Sequence, residues 1–93
     1  MTNTLRLVAG ERRRVTVRVT YKNRQSGFLI QNPRYTLKSG YKEIESGIPS
    51  MEAYSTEMMA VIEPPQAGNY VLEFYYEIGG ETWIQRVAVS VRE

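Results

Sequence analysis

The stretch YVLEFYYEIGGETWIQRVAVSV, residues 70–91, decides the fold. Gly79-Gly80 stands between two runs in which apolar and polar residues alternate, and a Gly-Gly pair is among the favoured two-residue hairpin turns. A two-residue loop fixes the register, so Ile78 lies opposite Glu81 and every other pair follows by counting outward. One face then sets Tyr76 opposite Trp83, Phe74 opposite Gln85, Leu72 opposite Val87 and Tyr70 opposite Val89. The other sets Glu77 opposite Thr82, Tyr75 opposite Ile84, Glu73 opposite Arg86 and Val71 opposite Ala88. The first face is almost wholly apolar. The second carries an opposite-charge pair in register, worth about 0.2 to 1 kcal/mol. Turn chemistry and face pattern agree independently, so Tyr70–Ile78 and Glu81–Val91 form a hairpin, with Tyr70 and Trp83 on its core side.

The same period of two runs back toward the N-terminus. Thr4–Ala9 is a short run ending at Gly10-Glu11. Arg12–Tyr21 puts Val15, Val17, Val19 and Tyr21 on one face and Arg14, Thr16, Arg18 and Thr20 on the other. Lys22–Gly27 is a polar turn. Phe28–Lys38 reads as a third strand that Pro33 confines to an edge or a bulge. Tyr41–Glu45 is a short edge strand, Ile48–Ser55 a loop, and Thr56–Glu63 resumes the alternation with Met58, Ala60 and Ile62 on one side. About seven short strands separated by turn residues predict an all-β sandwich, with residues 1–93 as one domain.

Composition narrows the chemistry. The 93 residues contain no His and no Cys, and no Asp occurs in the chain. That removes imidazole and thiolate metal ligands, Ser-His and Cys-His nucleophile pairs and aspartate dyads. Two glutamates could act as acid and base, and Glu43 with Glu45, or Glu73 with Glu77, share strand faces by alternation, but solvated strand residues with basic neighbours are the simpler reading. No glycine-rich phosphate loop and no calcium-binding cluster is present. The expectation is a non-enzymatic protein with no cofactor or metal. The N-terminus lacks a basic start followed by an apolar run, and no stretch approaches a membrane span. Together with the absence of cysteine, this suggests synthesis and life in a reducing cytoplasm, with no membrane partner.

Pro64-Pro65-Gln66-Ala67-Gly68-Asn69-Tyr70, followed by an alternating strand, resembles the corner before strand F of immunoglobulin-like domains, where a Gly-x-Tyr places a buried tyrosine. The resemblance implies that the Tyr70 hydroxyl binds nearby backbone. It also implies an antiparallel immunoglobulin-like sandwich with strands A at 4–9, B at 12–21, C at 28–38, a short C′ or D at 41–45, E at 56–63, and an F–G hairpin. The disulfide cysteines of antibody domains are absent and Trp83 lies on strand G, so the likeness is to cysteine-free bacterial and viral members. A small domain of this kind is similar to the structural proteins of tailed bacteriophages and prophages. That resemblance implies a structural or adaptor role in the virion, through contact with another protein or with itself.

Charge is unevenly spread. Residues 1–42 carry ten Lys or Arg against Glu11 alone, a balance of +9, while residues 43–93 carry nine Glu against Arg86 and Arg92, a balance of −7. Three readings stay open. The halves interleave and neutralise each other, with B beside E and C beside F; or some polarity survives and joins copies head to tail; or Arg12, Arg13 and Arg14, with Arg18, Lys22 and Arg24, bind nucleic acid. The last is disfavoured, because exposed aromatics are not interleaved with the basic residues and the acidic half repels phosphate. A carbohydrate-binding sandwich is a further alternative, which needs Tyr41, Tyr54 and Trp83 exposed. The candidate protein-binding residues are Val71, Tyr75 and Ile84, apolar on the side of the hairpin that should be wet, together with Arg12, Arg13 and Arg14.

Overall fold

The computed structural model of the chain describes residues 4–20, 29–52 and 55–93. Seven strands form: β1 (Thr4–Val8), β2 (Arg13–Arg18), β3 (Gln31–Ser39), β4 (Lys42–Gly47), β5 (Glu57–Ile62), β6 (Gly68–Ile78) and β7 (Glu81–Arg92). They make a five-stranded sheet in the order β1-β7-β6-β3-β4 and a two-stranded sheet of β2 and β5, an all-β, sandwich-like arrangement that is not closed.

The β6–β7 ladder has the register that the turn dictates, from Ile78 opposite Glu81 to Gly68 opposite Val91. Gly79 and Gly80 both have positive φ, 57° and 82°, as a turn that follows the twist of the strands requires. Alternation places the inner residues of both sheets in one core. Val15, Val17 and Val19 face Met58, Ala60 and Ile62 along the small sheet, and these pack with Leu37, Tyr70, Leu72, Phe74, Tyr76, Val89 and Val91 of the large one.

Several expectations are corrected. The large sheet is mixed rather than antiparallel, because β1 runs parallel to β7, with Leu5 opposite Val89 and Leu7 opposite Val91. The tight turn at Val8–Glu11 is the cause: the Ala9 amide donates to the Arg92 carbonyl while the next amide, on Gly10, donates to the Pro64 carbonyl beyond β5. The chain thus changes sheets within one residue and β1 cannot fold back on β2. The third strand begins at Gln31, and its register shifts between Gln31 and Arg34, where Asn32 has φ 50° and Pro33 follows. Of the two places open to Pro33, it occupies the bulge. Tyr21, the Lys22–Gly27 turn, Phe28 and Tyr54 lie outside the described residues.

Trp83 is the other correction. It lies opposite Tyr76 on the inner side, as the register requires, yet it is 42% exposed. Strand β7 has twelve residues, roughly 40 Å of chain, against six each in β2 and β5, roughly 20 Å. The small sheet is too short to cover both ends of the long hairpin. Val89 and Val91 are buried while the inner face of β7 opens toward Glu81 and Trp83.

Candidate protein-contact surface

The outer face of the large sheet is organised around Glu73. This residue is buried, 8% exposed, in the centre of the sheet, with β3 on one side and β7 on the other. Across one ladder Arg86 donates from Nε to Oε2 at 2.8 Å. From the other side Lys38 Nζ lies 3.1 Å from Oε1, and on the same strand the Tyr75 hydroxyl donates to Oε1 at 2.6 Å. A charge removed from water is tolerable only when its oxygens are engaged in this way. The Tyr75 hydroxyl, then Arg86 and Lys38, stabilise the anion more than burial penalises it, and the carboxyl is held at about 2. The same carboxylate pushes the Lys38 ammonium up.

The candidate residues frame this network. Tyr75 lies opposite Ile84 and Val71 opposite Ala88, two positions either side of the Glu73–Arg86 pair. Val71 is 37% and Ile84 43% exposed, and Tyr75 is half-buried. The Arg34 guanidinium lies 4.8 Å from the centre of the Tyr75 ring, a cation–π arrangement that occupies one face of that ring. Val71 and Ile84 are therefore exposed together, with a salt-bridged cluster fixed between them. The alternating pattern foretold both flanks. The role of Lys38 was not legible, because it depends on the β3–β6 register.

Arg12, Arg13 and Arg14 do not join that surface. They enter and begin β2, in the other sheet, and they diverge. Arg13 binds Glu11 through Nη2 at 2.5 Å and Nε at 3.1 Å, and Glu11 also accepts the Val8 amide at 3.0 Å. That amide and then Arg13 hold the Glu11 carboxyl below its usual range. Arg18 binds Glu57 at 2.8 Å across the β2–β5 ladder. Arg12 and Arg14 are exposed and make no ion pair among the described residues.

The structural residues also fall into place. Tyr70 is buried and its hydroxyl donates to the Gln66 carbonyl at 2.6 Å, as the corner motif implied. Tyr41 is fully exposed at the β3–β4 turn, at the opposite end of the sheet from Trp83. Neither glutamate pair is a free acid–base couple. The β4 register shift sets Glu45 opposite buried Leu37 and Glu43 opposite Lys38, so the two do not share a face, and Glu45 accepts the Glu63 amide at 2.9 Å. Glu73 is engaged as above, and Glu77 accepts from the Asn32 side chain at 3.2 Å. No group of three or more His, Cys, Asp or Glu occurs among the described residues in a metal-holding arrangement.

No family model matches the chain, and no curated protein matches it. Solved structures do align with it. An engineered protein superposes with a TM-score of 0.72 at 16% identity over 96% of this chain and 18% of its own. A Bacteroides vulgatus protein assigned provisionally to the glycoside hydrolases superposes with a TM-score of 0.56 at 14% identity over 96% of this chain and 17% of its own. The chain thus spans less than a fifth of either, and the likeness is one of fold.

Proposed function

We propose that this chain is a non-enzymatic structural or adaptor domain that works by protein–protein contact, with an immunoglobulin-like strand arrangement and a place in a tailed-phage or prophage particle. The observation that carries the contact reading is the joint exposure of Val71 and Ile84 around the Glu73 cluster. Apolar residues flanking a fixed set of charges supply both area and orientation to a partner. The immunoglobulin-like reading takes β2 as B, β3 as C, β5 as E, β6 as F and β7 as G. The neighbours β2–β5, β3–β6 and β6–β7 fit it, as does the Tyr70–Gln66 bond. The virion setting rests on the resemblance of the cysteine-free sequence to small phage structural proteins.

Two other readings fit less well. Arg13 and Arg18 are each held by a carboxylate, which leaves fewer free cations for nucleic acid on β2. Tyr41 and Trp83 are exposed but at opposite ends of the large sheet, which does not make a platform for one sugar chain. The test is co-purification with bound protein from the native cells. Ile84→Arg is expected to lose the partner with the circular dichroism spectrum unchanged; retention of the partner by this folded variant would overturn the reading.

A further inference from the structure

Because β1 pairs with β7, the strand that would flank β2 is spent on the other sheet. Among the described residues β2 is paired on one side only, with β5, while the far side of β5 is bridged at Ser50, whose amide and carbonyl bond Met59 at 2.7 and 3.0 Å. The small sheet therefore keeps one open edge among the described residues, and a two-stranded ribbon gains most from an added strand. That edge is basic: Arg14 lies on it, Arg12 leads into it, and neither has a carboxylate partner among the described residues.

The large sheet ends in β1 and β4. Strand β1 carries Arg6 and no acid, whereas β4 carries Glu43 and Glu45 against Lys42, the acidic end of the sheet. Glu43 is exposed and faces outward opposite Lys38, whose ammonium is committed to Glu73. Among the described residues the small sheet thus presents an open basic edge at β2 and the large sheet an open acidic edge at β4. Edges of this kind pair by adding strand to strand, and the charges select which edges meet.

We infer that the β2 edge of one copy adds to the β4 edge of the next, with the exposed Arg14 set against the outward-facing Glu43. The contact is heterologous, so a joined pair keeps one free β2 edge and one free β4 edge, and the assembly closes into a ring or extends as a filament. The inference rests on the protein-contact reading and names a second copy of the chain as one partner, on a surface separate from Val71 and Ile84.

Sedimentation velocity of the full chain at low salt tests it, together with amide exchange at Arg14, Thr16 and Arg18. The expected result is an average mass that rises at least twofold with concentration and falls back in 0.5 M NaCl, with several-fold slower exchange at those amides in the concentrated sample. Arg14→Glu and Glu43→Arg should each leave a folded monomer, and mixing the two should restore the larger species, because each reversed edge then meets its complement. A strict monomer with unchanged exchange overturns the inference, as does assembly that both variants retain. Neither result touches the reading of the Val71–Ile84 face, which the Ile84→Arg variant tests separately.

Discussion

The Tyr70 hydroxyl donates to the Gln66 carbonyl at 2.6 Å, tying the start of β6 to the loop that leads into it. The bond closes the connection between the two sheets at a part-buried position and gives the hydroxyl of the buried Tyr70 a partner. Tyr70→Phe keeps the ring and removes the donor. It should lower the stability measured by urea unfolding by about 1 kcal/mol, with the slope of the transition unchanged.

Glu73 should make stability depend on pH in acid. Its carboxyl is held at about 2, below the ordinary 4.5, so the folded state binds its proton more weakly than the unfolded chain. The contribution is fully present above about pH 4.5 and is lost as pH falls toward 2. Glu73→Gln should cost on the order of 2 to 3 kcal/mol at pH 7 and converge on the parent near pH 2. Parallel urea titrations at pH 7, 4 and 2 check this, and a constant difference across the series would contradict it.

Phe74 and Trp83 share the inner side of the same hairpin but should respond very differently. Phe74 is fully buried, and Phe74→Ala should cost about 3 to 5 kcal/mol. Trp83, 42% exposed, should cost well under half of that when changed to Ala. Acrylamide should quench the Trp83 emission in the folded protein; a blue, unquenchable emission would place it in the core.

The Gly79-Gly80 turn gives a conformational test. Both residues have positive φ with open space where a Cβ would stand, so the obstacle to a side chain is backbone strain alone. Gly79→Asn should be nearly neutral, and Gly79→Val should cost about 1 to 2 kcal/mol by thermal unfolding.

These contrasts also mark what the residues disclose by themselves. The β6–β7 register was legible in full because a local turn enforces it and both faces repeat it. The inward sets Val15, Val17, Val19 and Met58, Ala60, Ile62 were legible for the same local reason. The parallel pairing of β1 with β7 joins residues more than eighty positions apart and leaves no turn to read. The exposure of Trp83 depends on the length of the opposing sheet, and the separation of Glu43 from Glu45 on a register shift in β4. Within the candidate surface Val71, Tyr75 and Ile84 followed from alternation, whereas the contributions of Lys38 and Arg34 required the fold to bring β3 beside β6.

The central claim, that the outer face of the large sheet meets a protein partner, is tested most directly by photo-crosslinking in the native cells. A photoreactive residue replaces Ile84 in one sample and exposed Thr20 at the end of the small sheet in another. The account predicts a discrete protein adduct from position 84 that is absent from position 20. No adduct from position 84, or the same adducts from both positions, would contradict it.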